Sequence, residues 1–185
     1  IEFLLIKLFF LIFKLIGYKN ASNLGAKLGS ILGPLFRSKK LIRNNLKNSF
    51  PNITDKEINI LIKNMWRNYG RIFSDYVYID QFRSKKLQKY IVINGIEILE
   101  KIKNEGKPVI FISGHFNNFE LMAMKIELSG IELSAVYRPL NNIFLNRTME
   151  NLRKSYICKN QIKKGLGGVR EIIKAFSQNI SIALM

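Results

Sequence analysis

The chain has 185 residues, of which 48% are hydrophobic and 23% charged, and its net charge is +17 at neutral pH. This composition supports a folded core and excludes a disordered or collagen-like chain, and one cysteine and one histidine exclude a disulfide framework and a zinc site of thiolates and imidazoles. So basic a chain is expected to bind anions: nucleic acid, acidic lipid, a phosphorylated substrate or an acidic carrier protein.

The first 36 residues predict a membrane-anchoring helical segment. Thirteen of residues 1–16 are apolar, and Lys7 and Lys14 would share one stripe of a helix. The run is shorter than the roughly 20 residues that span a bilayer, which favours a helix lying in the membrane interface. A second apolar stretch, residues 24–36, follows. The alternative is a core helix packed on the following domain, which would comprise residues 37–185.

Residues 37–89 are strongly basic and helical in pattern, with 13 basic and four acidic residues. Thr54 and Glu57 form a predicted capping box at the start of a helix. Apolar residues then recur at helical spacing from Ile58 to Tyr69 and predict one buried face. Basic residues that follow an apolar anchor can hold anionic headgroups, although a solvated helix face also explains each of them.

The second half alternates between short apolar runs and helical patterns. The predicted strands are residues 108–113, 133–137 and 181–185, and the predicted helices are residues 117–128, 143–156 and 168–178. The first strand is a continuous apolar run and is expected to be buried on both faces. Asn117 or Asn118 is expected to cap the helix that follows it. This order predicts an α/β fold with a mostly parallel sheet covered by helices.

Functional residues are expected beyond the carboxyl ends of these strands, where ligands bind in parallel sheets. His115 directly follows the first predicted strand, and Arg138 follows the second. Glu120 lies five residues after His115, near the first turn of the next predicted helix. A carboxylate bonded to one imidazole nitrogen leaves the other nitrogen free to accept a proton from a hydroxyl. A structural histidine beside an ordinary helix start is the simpler alternative.

Residues 112–120, with the sequence ISGHFNNFE, resemble the H-x4-D/E motif of the lysophospholipid and lipid A acyltransferases. The glutamate and its surroundings are most similar to the late lipid A acyltransferases, which add lauroyl or myristoyl chains. Residues 136–142, VYRPLNN, resemble the Y-R-P block of that family. Residues 165–171 and 180–185 resemble a third block, which leads into an Asp-containing motif. That motif would lie beyond Met185, so the acyltransferase domain is expected to be truncated at its C-terminus.

The resemblance implies a glycerolipid acyltransferase-like fold and transfer of a fatty acyl chain from acyl carrier protein to a hydroxyl of a lipid A precursor. It implies that His115 is the general base and that Glu120 orients it. It also implies that Arg138 binds a substrate phosphate or polarises the thioester carbonyl. No metal or other cofactor is expected. The expected partners are acyl carrier protein, the lipid A precursor and an anionic membrane surface, on the cytoplasmic face of the bacterial inner membrane.

Three alternatives to this function can be weighed on the sequence. A glycerophospholipid acyltransferase would use the same proton chemistry, but such enzymes usually carry Asp at the position of Glu120 and a later Gly-rich block. An inactive, basic membrane-binding fragment would explain the charge without catalysis. Nucleic-acid binding is favoured by charge alone and is not expected, since no recognition motif accompanies it.

Overall fold

The computed structural model describes residues 2–184, and the chain divides into two compact units, residues 1–78 and 79–185. This division does not test the expected boundary after residue 36, which concerns membrane association. None of the helices between residues 2 and 184 combines the length and the apolar composition that crossing a bilayer requires. Membrane association of residues 1–36 therefore stays a prediction.

The first unit is helical. Its helices are α1 (Glu2–Ile16), α2 (Tyr18–Leu32), α3 (Lys39–Ser49) and α4 (Asp55–Asp75), with 3₁₀ turns at Gly33–Leu35 and Tyr76–Tyr78. Gly17 separates α1 from α2 with a φ of 79°, a conformation that disfavours residues with a Cβ atom. The predicted capping box is confirmed: the Thr54 hydroxyl accepts the Glu57 N–H, and the Glu57 carboxylate accepts the Thr54 N–H.

Helices α2 and α4 pack closely because glycines line their contact. A Cβ atom on Gly70 would lie 1.9 Å from the backbone oxygen of Gly25, and one on Gly29 would lie 2.3 Å from the backbone oxygen of Trp66. Either methyl group would clash with backbone atoms that cannot move aside locally. Glycine at these positions therefore sets the spacing of the two helices.

The second unit is α/β. Its helices are α5 (Ile79–Arg83), α6 (Ile96–Glu105), α7 (Glu120–Leu128), α8 (Ile143–Tyr156) and α9 (Leu166–Ser177), and its strands are β1 (Ile110–Ile112), β2 (Leu133–Tyr137), β3 (Asn160–Lys163) and β4 (Ser181–Leu184). The four strands form one sheet in the order β1-β4-β2-β3, and every pairing is parallel. The predicted α/β fold with a mostly parallel sheet is confirmed for the described residues.

The register of the sheet brings three carboxyl ends to one edge. Ile112 of β1 pairs with Leu184 of β4, and Ala135 of β2 pairs with Ala183 of β4. Strand β4 lies between β1 and β2, so the connections that follow β1 and β2 begin on either side of the end of β4. Ile182 and Ala175 form a core cluster beneath this edge, together with a residue of β3.

Two expectations about the β1 region were wrong. The strand was expected to be buried on both faces, but β1 is an edge strand, and Ile112 at its end is 82% exposed. The next helix was expected to begin at Asn117 or Asn118, but it begins at Glu120 with Phe119 as its N-cap residue. Asn117 adopts a φ of 47°. This left-handed backbone turns the chain before the helix starts, so the asparagine serves the turn instead of the cap.

Candidate active site

A cavity of about 640 Å³ opens at the carboxyl edge of the sheet, in the second unit. The β1–α7 connection, the end of β2 and helix α8 all contribute to its wall. His115, Glu120 and Arg138 line this cavity. The structure therefore brings together the three side chains that the sequence analysis singled out.

His115 lies in the connection between β1 and α7 and is exposed to solvent. Its ring packs against Phe119, with 4.8 Å between the ring centroids and 62° between the planes. An edge-to-face contact of this kind limits the rotation of an otherwise exposed imidazole. The ring is therefore supported from one side and remains open to the cavity that it lines.

Glu120 begins α7 and is only 4% exposed. Its carboxylate accepts hydrogen bonds from Arg153 on α8: Nε lies 2.9 Å from Oε1 and 3.1 Å from Oε2, and Nη2 lies 2.5 Å from Oε1. The Arg153 side chain is 14% exposed, so both charges are largely removed from water. A buried carboxylate requires such a partner, because an unpaired charge in this environment is very unfavourable.

The contact from Arg153 bears on the role assigned to Glu120. The sequence analysis paired Glu120 with His115 and did not identify Arg153. The carboxylate has two oxygens, and each accepts a bond from the guanidinium. A carboxylate oxygen can accept more than one hydrogen bond, so Arg153 does not exclude His115 as a second donor. Orientation of His115 by Glu120 stays a prediction.

Arg153 also connects Glu120 to a second polar group around Tyr137. The guanidinium carbon lies 5.7 Å from the centroid of the Tyr137 ring. The Tyr137 hydroxyl donates a hydrogen bond to Glu150, which also accepts one from Asn146 Nδ2 at 2.8 Å. Burial and this bond raise the pKa of Tyr137, and the bonds from Tyr137 and Asn146 lower the pKa of Glu150. The network therefore keeps the phenol protonated and the carboxylate ionised.

We expect the replacement Tyr137→Phe to reduce stability more near pH 7 than near pH 3. The folded-state pKa of Glu150 is lowered, so its hydrogen bonds stabilise the protein above the ordinary carboxyl pKa of about 4.3. This contribution is lost as the pH falls through the lowered value. The expected loss at neutral pH is about 1–2 kcal/mol. Thermal unfolding across the pH range measures it, with Tyr156→Phe as the control, and an equal loss at every pH would contradict the network.

The charge in the cavity is positive. Its lining includes three basic side chains, Arg138, Arg153 and Lys164, and one acidic side chain, Glu120. Because Arg153 is paired with Glu120, Arg138 and Lys164 are left to attract an anionic ligand. Among residues 2–184, no three His, Cys, Asp or Glu side chains come close enough together to hold a metal ion.

Cys158 lies beside the sheet and is not suited to nucleophilic chemistry. The side chain is buried, and its Sγ lies 2.9 Å from the backbone oxygen of Leu133, to which it donates. Burial raises the pKa of the thiol to about 11. The thiol is therefore protonated at neutral pH and lacks the thiolate that nucleophilic attack requires.

Comparison with known proteins identifies a family that matches this sequence. The family model described as bacterial lipid A biosynthesis acyltransferase matches residues 1–185. Lipid A biosynthesis acyltransferase 2 of Shigella flexneri is 26% identical over 132 residues, covering 71% of this chain and 42% of the relative. Lipid A biosynthesis acyltransferase of Haemophilus influenzae is 24% identical over 169 residues, covering 88% of this chain and 53% of the relative. The chain thus spans about half the length of these curated relatives.

Proposed function

The chain belongs to the bacterial lipid A biosynthesis acyltransferase family, and from this premise we propose that it transfers a fatty acyl chain from acyl carrier protein to a hydroxyl of a lipid A precursor. One observation carries the proposal. His115, Glu120 and Arg138, which the sequence analysis selected, line a single cavity at the carboxyl edge of a parallel sheet. An imidazole at that position can accept a proton from a bound hydroxyl, which supports a catalytic role.

The proposed reaction is a direct transfer. An imidazole nitrogen of His115 accepts the proton of the acceptor hydroxyl, whose oxygen attacks the thioester carbonyl carbon. A C–O bond forms, the C–S bond breaks, and the proton passes from the imidazolium to the leaving thiolate. The balance requires no oxidant, reductant or metal. A covalent intermediate on the enzyme is also unnecessary, and the protonated Cys158 thiol would not supply one.

Glu120 and Arg153 supply the support for His115 in this proposal. A carboxylate near the imidazole favours the imidazolium that forms during the transfer. Arg153 fixes the carboxylate through two of its nitrogens, so Glu120 has little freedom to turn away. Arg153 is thus a positioning residue that acts through Glu120. The buried ion pair also ties α7 to α8 on either side of the cavity.

Arg138 and Lys164 are the proposed anion-binding groups. Both line the cavity, and Arg138 follows β2 directly. A guanidinium can bind a phosphate or a developing oxyanion through two parallel hydrogen bonds, which an ammonium cannot do. This geometry fits a phosphorylated lipid acceptor or the thioester carbonyl of the donor.

Charge and surface composition support the proposed partners and location. The net charge of +17 supports attraction of an acidic carrier protein and of an anionic membrane surface. Exposed leucines on α1 support contact with lipid, since a soluble surface rarely presents such a stripe. We place the protein on the cytoplasmic face of the bacterial inner membrane, where both substrates would meet it.

An acyl-transfer assay with the complete gene product tests this function, and Arg138→Lys separates the two roles of the guanidinium. If Arg138 binds a phosphate, we expect KM to rise several-fold with kcat nearly unchanged. If it stabilises the reacting carbonyl, we expect kcat to fall by about 10²–10³, as on removal of an oxyanion donor. Arg147→Lys, an exposed substitution on α8, is the matched control.

The acceptor in the assay separates the competing functions. Transfer to lysophosphatidic acid but not to a lipid A precursor would establish a glycerophospholipid acyltransferase instead. Absence of transfer to either acceptor, from a correctly folded complete gene product, would reject the enzymatic proposal and favour a membrane-binding role.

A further inference from the structure

The helical unit contains a large apolar cavity that the proposed reaction does not use. Its volume is about 570 Å³, within the range of pockets that hold small ligands. Helices α1, α2 and α4 line it, with walls that include Leu5, Ile6, Phe9, Phe13, Leu28 and Phe73. Glu2, Trp66 and Tyr69 are the lining residues with polar side-chain atoms, and the other lining residues are apolar or glycine. Such a cavity suits a hydrocarbon chain.

A basic pocket of about 290 Å³ lies in the same unit. Arg37, Lys39 and Lys63 line it and are exposed to solvent. Within residues 2–184, none of these three cations takes part in an ion pair, whereas the nearby Arg43 and Lys47 both pair with Asp55. Three unpaired cations in one pocket favour an anionic group with several oxygens, such as a phosphate.

Trp66 joins the two pockets, because its side chain lies in the wall of both. The indole ring packs over Gly33, where a Cβ atom would lie 2.3 Å from ring atoms. The indole Nε1 is buried and has no hydrogen-bond partner among residues 2–184. A buried donor left without an acceptor is unfavourable, so a ligand oxygen within reach of it would be favoured.

The connection between α2 and α3 places the two pockets side by side. Gly33 and Phe36 line the apolar cavity, while Pro34 and Arg37 line the basic pocket. The short segment of residues 33–37 therefore contributes to the walls of both the apolar cavity and the basic pocket. This arrangement suits one ligand with a hydrocarbon tail and a charged head.

We propose that the helical unit binds one anionic phospholipid, with an acyl chain in the apolar cavity and the phosphate against Arg37, Lys39 and Lys63. A free phosphate would leave the cavity empty, and an uncharged lipid would leave the three cations unpaired. The outer face of α1 supports a lipid source, since Leu4, Leu8, Leu11 and Leu15 are each more than half exposed along one helical stripe. The proposal does not rest on the acyltransferase reaction.

Trp66 is the one tryptophan of the chain, so its fluorescence reports on this site alone. The complete protein is titrated in non-ionic detergent micelles that contain phosphatidylglycerol or phosphatidylcholine with the same acyl chains. We expect a saturable change in Trp66 emission with phosphatidylglycerol at a mole fraction at least tenfold lower than with phosphatidylcholine. Glycerol phosphate and inorganic phosphate, added to plain micelles, separate a lipid headgroup from a free anion and are expected to have no effect.

Exposed substitutions test the two pockets separately. Arg37→Gln combined with Lys63→Gln is expected to weaken phosphatidylglycerol binding about tenfold or more, and Lys27→Gln combined with Lys56→Gln is the control for the loss of two charges. Leu5→Asn, in the wall of the apolar cavity, is expected to weaken the binding of both lipids. Leu41→Asn, on α3 and outside both pockets, replaces a leucine of similar exposure and is its control.

Each outcome decides the proposal. Selective saturation that the pocket variants weaken and the control variants retain supports the site. Equal responses to the two lipids, equal losses in pocket and control variants, or a response to inorganic phosphate alone would overturn it. Circular dichroism shows whether each variant keeps its helical content, and the acyl-transfer rate is measured separately, so failure of one proposal does not imply failure of the other.

Discussion

Replacement of His115 with alanine is expected to lower kcat for acyl transfer by about 10²–10⁴, the usual contribution of a general base. The imidazole is the group in the cavity wall that can accept a proton from a neutral hydroxyl near neutral pH while Glu120 is held by Arg153. KM is expected to change little, because the imidazole acts on the reacting proton rather than on the bound lipid. Steady-state kinetics with saturating donor and acceptor measure both constants.

The matched control for this variant lies one residue away. Phe116 is 81% exposed and does not line the cavity, so Phe116→Leu alters the same loop without touching the site. Full activity of Phe116→Leu beside loss in His115→Ala would assign the loss to the imidazole. A His115→Ala protein that retains activity within a factor of about ten would remove the general base from the mechanism.

Replacement of Arg153 with methionine is expected to lower the free energy of unfolding by about 3–5 kcal/mol, because it leaves the Glu120 carboxylate buried without its cation. This loss of unfolding free energy should be several times larger than the loss caused by an ordinary substitution at the surface. Urea unfolding measures it, provided that the slope of the free energy against denaturant stays constant. Arg147→Met on the same helix, where the side chain is exposed, is the control.

The double variant Glu120→Met/Arg153→Met separates structure from catalysis. Removal of both charges together is expected to recover much of the lost stability, since no unpaired charge remains in the buried site. Catalysis should not recover, and the pH profile of kcat should differ from that of the wild-type protein, because the carboxylate proposed to support His115 is gone. Recovery of activity along with stability would show that the ion pair serves the fold alone.

Part of the fold follows from local sequence pattern, and part depends on packing. The strands β2 and β4 are apolar runs bounded by turn residues, and both were predicted from that pattern. Strand β3 escaped prediction, because its four residues, Asn160 to Lys163, include three polar side chains. It lies at the edge of the sheet, where only the buried Ile162 must be apolar. Polar alternation in so short a segment cannot be told from a loop.

Some residues of the candidate site could likewise be predicted from the sequence, and others could not. His115 and Arg138 were found because each lies just after a strand, His115 three residues after the end of β1 and Arg138 directly after β2. The rule about strand ends applies to any parallel sheet. Arg153 was not found, because it lies in the last turn of α8, 33 residues from Glu120, and is directly followed by another basic residue, Lys154. The burial of Glu120 requires a cation but does not indicate which of the 30 basic residues provides it.

The strand order has a consequence for synthesis of the protein. Of the four strands, β4 leaves the ribosome last, yet it takes the place between β1 and β2. Until residues 181–184 emerge, the edges of β1 and β2 have no neighbour on that side, and Ile110 and Ile112 add apolar surface beside them. Nascent chains with open strand edges associate readily, so a translational pause before β4 is expected to increase aggregation and the demand for chaperones.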